Sequence, residues 1–255
     1  MKEREKFQNS NIFEGMVSFR SVISSICSGS SDRKILKVFY DKQKIQKNIR
    51  EFSFIKAKSY ELGYDIETVE KAFIDEMTLG NSHGGLAFIC SERSYANISE
   101  DHIIENGFYV NIDGIEDPYN FGYAIRSLYA SGASGIIISK RNWLGASGIV
   151  CRSSAGASET IPLFISESDE YIDVFKKCNY KIVCADMKNS IPMYEADLRR
   201  PLLLIVGGEK RGISGSILTK ADIRVSIEYG TDFLEALSAA SASTVLSFEV
   251  YRQNR

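Results

Sequence analysis

From Phe108 to Ile227 the chain repeats one pattern, a short apolar run that opens into a turn-rich or helical stretch. The runs span 108–112, 135–138, 162–165, 181–184, 202–206 and 223–227. Several are continuously apolar rather than alternating, so both of their faces must be covered. Helical stretches separate most of them, which predicts an α/β fold: a mainly parallel sheet with helices on both sides. A last helix is expected to carry Leu234, Leu237, Ser241, Val245 and Phe248 on one face.

The first third reads as a small α/β unit of its own. Residues 35–39 form a strand candidate, and Ile45, Ile49, Phe52 and Ile55 then recur at helical spacing up to Gly63, well placed to end that helix. A second helical stretch is expected at 69–73, then a turn through Gly80-Asn81-Ser82-His83-Gly84-Gly85 and a strand from Leu86 to Cys90. His83, alone beside glycines, fits a turn-stabilising role at least as well as a catalytic one. Residues 91–106 are polar and aperiodic, so the domain junction is placed there, giving an N-terminal domain over 1–100 and a second over 107–255.

Composition narrows the class. The 255 residues carry a formal charge of −2, which argues against coating nucleic acid by global basicity. One local stripe stands out: Arg33, Lys34, Lys37, Lys42, Lys44, Lys47 and Arg50 against the single acid Asp41. Charge alone leaves open a solvated face and a set of phosphate contacts. Five widely spaced cysteines without a Cys-x-x-Cys pair suggest reduced thiols and no metal site. No apolar run reaches the roughly 18 residues of a membrane span, and the polar start lacks a secretory core, so a cytoplasmic protein without a membrane partner is expected.

Three stretches of the second half sit where strands hand over to helices, the place where α/β sheets build their sites. The first runs from Asn111 to Gly122 and on to Arg126. Asp117-Pro118 marks a helix start, with Asn120 and Arg126 on its first turns. In the second, the strand at 202–206 enters Gly207-Gly208-Glu209-Lys210-Arg211-Gly212-Ile213-Ser214, where glycines allow backbone amides to approach a ligand. This is neither a Gly-x-Gly-x-x-Gly fingerprint nor a Walker loop, and Glu209 suits a ribose hydroxyl, an amide or a cation better than a phosphate. The third contains Ile227, then Ala236-Leu237-Ser238-Ala239-Ala240, and ends in Phe248-Glu249-Val250-Tyr251-Arg252-Gln253. By itself this third stretch reads equally as helix packing or close ligand approach.

Taken in order, the stretches resemble the three motifs of the SpoU/TrmH family of RNA 2′-O-ribose methyltransferases, within the SPOUT superfamily. Asp113-Gly114-x-x-Asp117-Pro118-x-Asn120-x-Gly122 with Arg126 is similar to motif one, Gly207-x-Glu209-x-x-Gly212-Ile213-Ser214 to motif two, and the helix ending Phe248-Glu249-x-x-Arg252-Gln253 to motif three. The segment Arg152-Ser153-Ser154-Ala155-Gly156-Ala157-x-Glu159-x-x-Pro162 is similar to the one that joins motifs one and two. The first third is similar, more weakly, to a ribosomal-protein-like substrate-binding domain.

The resemblance implies a trefoil-knotted α/β fold, S-adenosylmethionine as cofactor, an RNA substrate (rRNA or tRNA) and a homodimer. It implies cofactor binding by Gly207, Gly208, Gly212, Ile227 and Leu237, and a reacting site of Asn120, Arg126, Glu209 and Ser238. An arginine guanidinium stays charged at ordinary pH, so Arg126 is expected to clamp the target phosphate rather than to accept the proton. Motif three departs from the usual Ser-Leu-Asn by reading Ala236-Leu237-Ser238. A degenerate RNA-binding protein with this fold is therefore one alternative; a nicotinamide- or nucleotide-binding α/β enzyme, lacking its glycine fingerprint, is another.

Overall fold

The computed structural model describes residues 11–78, 82–112, 114–115, 117–138, 146–208, 212–232 and 235–255. Across them the chain divides into two compact units, Met1–Ser94 with Asn142–Thr160, and Tyr95–Arg141 with Ile161–Arg255.

The first unit is built on a four-stranded sheet in the order β1 (Ile12–Glu14), β4 (Leu86–Cys90), β2 (Ile35–Asp41), β3 (Asp65–Val69). Only β2 and β3 are parallel. Helix α1 (Gly15–Cys27) buries Phe19, Val22 and Ile23 against the sheet, and Phe19 meets Phe88 edge to face at 5.2 Å. Met16, Phe19, Val22, Ile23 and Ile26 of α1 repeat at helical spacing, the one sign of this helix in the sequence. Helix α2 (Ile49–Leu62) ends as expected at Gly63, whose φ of 75° lies in the left-handed region that a side chain would strain. The helix expected at 69–73 is corrected: Val69 pairs with Asp41 in β3, and α3 (Lys71–Met77) starts only after it. A β-branched residue closing a ladder outweighs the apolar spacing that suggested a helix.

His83 lies in the turn before β4. Its Nδ1 accepts from the Gly85 N–H at 2.9 Å, so Nε2 carries the proton and donates to Asp75 Oδ1 at 2.7 Å. That bond holds the Asp75 carboxyl below its usual range.

The chain returns to this unit late. Helices α5 (Ser147–Ser153) and α6 (Ala157–Thr160) pack on β1 and α1, and Cys151 enters the unit's core. Glu159 is fastened to Arg33, whose Nε and Nη2 donate to its carboxylate at 3.2 and 3.3 Å. Both side chains are buried, and the guanidinium also donates to Ser91 O at 2.8 Å and lies 4.9 Å from the Phe13 ring centre. Arg33 is thus not part of an exposed basic stripe.

The second unit holds an eight-stranded, wholly parallel sheet in the order β10 (Ile191–Pro192), β12 (Ile223–Ser226), β9 (Lys181–Ala185), β11 (Leu202–Val206), β6 (Phe108–Ile112), β7 (Gly135–Ile138), β8 (Leu163–Ile165), β5 (Ala96–Asn97). Six of these are the expected strands to within one residue. The two-residue edges, β5 and β10, are too short to leave a pattern. One face packs Tyr109, Ile137, Leu203 and Ile205 against Ile172 and Phe175 of α7 (Tyr171–Lys177) and Ile217 of α8 (Gly215–Lys220). Elsewhere in the unit, α4 (Pro118–Ala130) packs against α9 (Ala239–Gln253), which lies on β11. Pro118 at the first turn and the Asp117 carboxylate, accepting from Asn120 N–H at 2.8 Å, start α4 as expected.

The expected face of α9 is corrected. Its buried residues are Ala239, Ala240, Ser243, Leu246, Ser247, Glu249 and Val250, whereas Ser241 and Phe248 are exposed, Leu237 precedes the helix and Leu234 lies outside the described residues. Four of the seven buried residues are alanine or serine, small enough to allow close packing, and α9 packs against α4, so the buried face does not follow the apolar spacing. All five cysteines are free.

Replacing Glu159 with Gln leaves Arg33 buried beside a neutral partner and is expected to cost about 3–5 kcal/mol in urea unfolding. The double change Arg33→Met with Glu159→Leu is expected to recover most of it. A single-variant loss below about 1 kcal/mol would mean that water reaches the pair.

Candidate functional site

Parallel strands release their chains at the same edge, and three of them make a cavity there. The carboxyl ends of β9, β11 and β12 give Ala185, Val206 and Val225 with Ser226, and the segments that follow give Asp186 to Lys188, Gly207 with Gly208, and Ile227. The start of α9 and the segment before it close the space with Ala236, Leu237, Ala239, Ala242 and Leu246, and Gly212, Ile213, Leu218 and Tyr229 complete it. The volume is about 390 Å³, within the range of small-molecule sites.

Glycine shapes the floor. Gly207 and Gly208 follow β11 directly, and the Gly212 N–H donates to Gly208 O at 3.0 Å. A Cβ on Gly208 would sit 2.5 Å from the Gly114 carbonyl oxygen, and one on Gly207 would strike the backbone of Gly212. The turn after β6 and the loop after β11 therefore meet backbone to backbone, and a side chain at Gly208 would push them apart. On the opposite side, Tyr229 Oη accepts from Leu237 N–H at 3.1 Å and ties the β12 exit to the start of α9.

Gly207, Gly208, Gly212, Ile227 and Leu237, expected from sequence to serve one ligand, all line this single cavity. Of the other candidates, Asn120, Arg126 and Ser238 lie apart from its described lining. Asn120 is half-buried and Arg126 exposed, both on α4. Ser238 is the N-cap of α9: its Oγ accepts from Ser241 N–H at 3.2 Å and donates to Ser241 Oγ at 3.0 Å. Since α4 packs on α9, Asn120 and Arg126 ride on the neighbour of the helix whose start lines the cavity. Glu209 lies outside the described residues, as does Asp113.

Residues 186–188 line the cavity but were not anticipated, because no motif marks them. Their one signal is position at the end of a parallel strand. Asp186 anchors this bend: its N–H donates to Val225 O at 3.0 Å and its Oδ1 accepts from Lys188 N–H at 3.1 Å. Burial pushes the neighbouring Cys184 thiol up to about 12, which removes it as a nucleophile.

The end of motif three is architectural. Arg252 donates twice to Glu249, at 2.7 and 2.8 Å, and holds its carboxyl below the usual range. Gln253 donates to Glu249 Oε1 at 2.8 Å and to Ala196 O at 3.1 Å and accepts from Leu198 N–H at 2.9 Å, joining α9 to the approach to β11.

The model of the SpoU rRNA Methylase family matches residues 107–248. A Staphylococcus haemolyticus protein assigned to the TrmH family of tRNA/rRNA methyltransferases is 27% identical over 248 residues, covering 93% of this chain and 95% of its own length. The 23S rRNA (guanosine-2′-O-)-methyltransferase RlmB of Shewanella oneidensis is 28% identical over 198 residues, 76% of this chain and 80% of its own. Among solved structures, the AdoMet-bound rRNA methyltransferase from Sinorhizobium meliloti shares the fold with a TM-score of 0.75 at 21% identity, over 99% of this chain and 90% of its own.

Proposed function

The chain belongs to the SpoU rRNA methylase family, and from that premise we propose that it is an S-adenosylmethionine-dependent enzyme that methylates a ribose 2′-hydroxyl of ribosomal or transfer RNA. The observation that carries this reading is the convergence of Gly207, Gly208, Gly212, Ile227 and Leu237 on one cavity at the strand ends.

The cavity suits that cofactor. Its volume is large enough, Ile213, Leu218, Leu237 and Leu246 offer an apolar wall for a planar base, and the glycine loop exposes backbone rather than side chain. When bound, S-adenosylmethionine supplies a methyl group activated by a sulfonium. The protein's own task is positioning: the 2′-oxygen must be held in line and relieved of a weakly acidic proton. Arg126, exposed on α4, is assigned to grip the target phosphate bidentately, that phosphate or a neighbouring group taking the proton. Asn120 and Glu209 are assigned to the reacting ribose. The 2′-hydroxyl itself is what restricts the enzyme to RNA.

A second reading, a degenerate RNA-binding protein of this fold, is favoured by one observation: the Ser238 hydroxyl is spent on capping α9. Calorimetry with S-adenosylhomocysteine separates the two, since only the enzyme needs micromolar affinity. With binding established, Arg126→Ala is expected to leave it unchanged while removing most methyl transfer to RNA; full turnover by that variant would refute the role of Arg126.

The first unit is assigned to RNA binding, on a narrower set of residues than the sequence stripe. Lys37 pairs with Glu67, Lys42 with Glu70, and Lys44 donates to Gly84 O, so these charges are engaged. Lys47 and Arg50, with Arg20, border a concavity at the start of α2 and form no ion pair among the described residues. Changing Lys47 and Arg50 to Gln is expected to weaken RNA binding across sequences and to flatten its log–log salt slope by roughly 1.5. An unchanged slope would assign the cluster to solvent.

The enzyme is further assigned a homodimeric state, because Tyr123 and Tyr129 on α4 and Phe248 and Tyr251 on α9 each stand 45–51% exposed. Aromatics this large on two packed helices call for a cover. Light scattering is expected to return twice the chain mass, and a monomer at micromolar concentration would rule this out.

A further inference from the structure

Among the described residues, the cavity at the ends of β9, β11 and β12 has two charged side chains in its lining, Asp186 and Lys188. They are not equivalent. The Asp186 carboxylate is already used: it accepts from the Lys188 N–H at 3.1 Å, and the Arg224 guanidinium lies 3.8 Å away. Arg224 is itself committed, donating to Leu218 O at 3.0 Å. Lys188 is exposed and enters no hydrogen bond or ion pair through its ammonium among the described residues. The bend fixed by Asp186 therefore places one uncommitted cation in the lining of a cavity whose remaining described residues are apolar, glycine, or hydroxyl residues already in use, Ser226 donating to Ile191 O and Tyr229 accepting from Leu237 N–H.

A ligand made only of a base and a sugar gives such a cation nothing to neutralise. A ligand with a nucleoside at one end and an amino acid at the other carries a carboxylate, and a lysine on a flexible stem at a solvated rim suits that group as a point charge. We propose that Lys188 is the residue that recognises the α-carboxylate of the cofactor's amino-acid end, with Asp186 as the positioning residue that fixes the bend through its side-chain acceptor. This rests on the cofactor reading given above and extends it to a residue outside all three sequence motifs.

The test compares two ligands on the full chain by calorimetry: S-adenosylhomocysteine, and 5′-methylthioadenosine, which keeps the nucleoside thioether and lacks the amino-acid end. The parent protein is expected to prefer S-adenosylhomocysteine by about tenfold, a difference typical of one charge-assisted contact at a wet rim. Lys188→Met is expected to abolish most of that preference while leaving 5′-methylthioadenosine affinity unchanged, which a merely structural role would not do. Asp186→Asn, which keeps an acceptor for the Lys188 N–H, is expected to retain the preference. An intact preference in Lys188→Met overturns the proposal, and so does its loss in Asp186→Asn, which would move the recognising charge to Asp186. Failure of both ligands to bind the parent protein overturns the cofactor reading itself, and this proposal with it.

Discussion

Eight strands that all run the same way impose one constraint on the second unit, and its chemistry follows from it. A parallel ladder cannot be joined by tight hairpins, so every connection crosses the sheet and every strand discharges its chain at one edge. Val206, Ala185 and Val225 sit at that edge because β11, β9 and β12 are hydrogen-bonded neighbours, with Leu204 aligned to Val183 and Ile223 aligned to the same residue. The cavity is the space between three adjacent exits, and residues far apart in sequence share it for that reason alone.

Close approach then refines the edge. The loop after β11 lies against the turn after β6 because two glycines, Gly114 and Gly208, face one another with no side chain between them. The same economy of size marks α9, which packs against α4 and buries alanines and serines with Leu246, Glu249 and Val250 while its aromatic residues stay exposed. Where backbones touch, bulk is excluded, and apolar bulk is left outside at Phe248 and Tyr251.

The first unit is held by a different device. Its core is apolar, yet the segment that returns to it after residue 142 is fastened by a buried guanidinium–carboxylate pair, with Arg93 donating to Ser158 O at 3.1 Å beside it. Such a pair adds little net energy compared with a packed apolar substitute but permits only one register, since a misplaced α6 would leave two charges unpaired away from water. Thus the stretch Arg152 to Pro162, which belongs to the catalytic half in sequence, is in large part a piece of the N-terminal unit.

The sequence by itself determined the α/β class and six of the parallel strands, because a strand buried on both faces must be apolar at nearly every position and so announces itself. It also marked the glycine loop and the helix start at Asp117-Pro118, since backbone conformation and close approach restrict which residue types are allowed, whereas Ile227 and Leu237 were legible only through the resemblance of the motifs to a known family. What it left open is what depends on neighbours distant in the chain. Val69 joins a strand because Asp41 is there to pair with it, Arg33 leaves the surface because Glu159 returns 126 residues later, and Ser238 is occupied because α9 begins at that residue. Lys188 faces the cavity only because β9 lies between β11 and β12. Local pattern records what a residue prefers, whereas the tertiary fold decides which partners it meets, and a charge or a hydroxyl acquires its role from the partner.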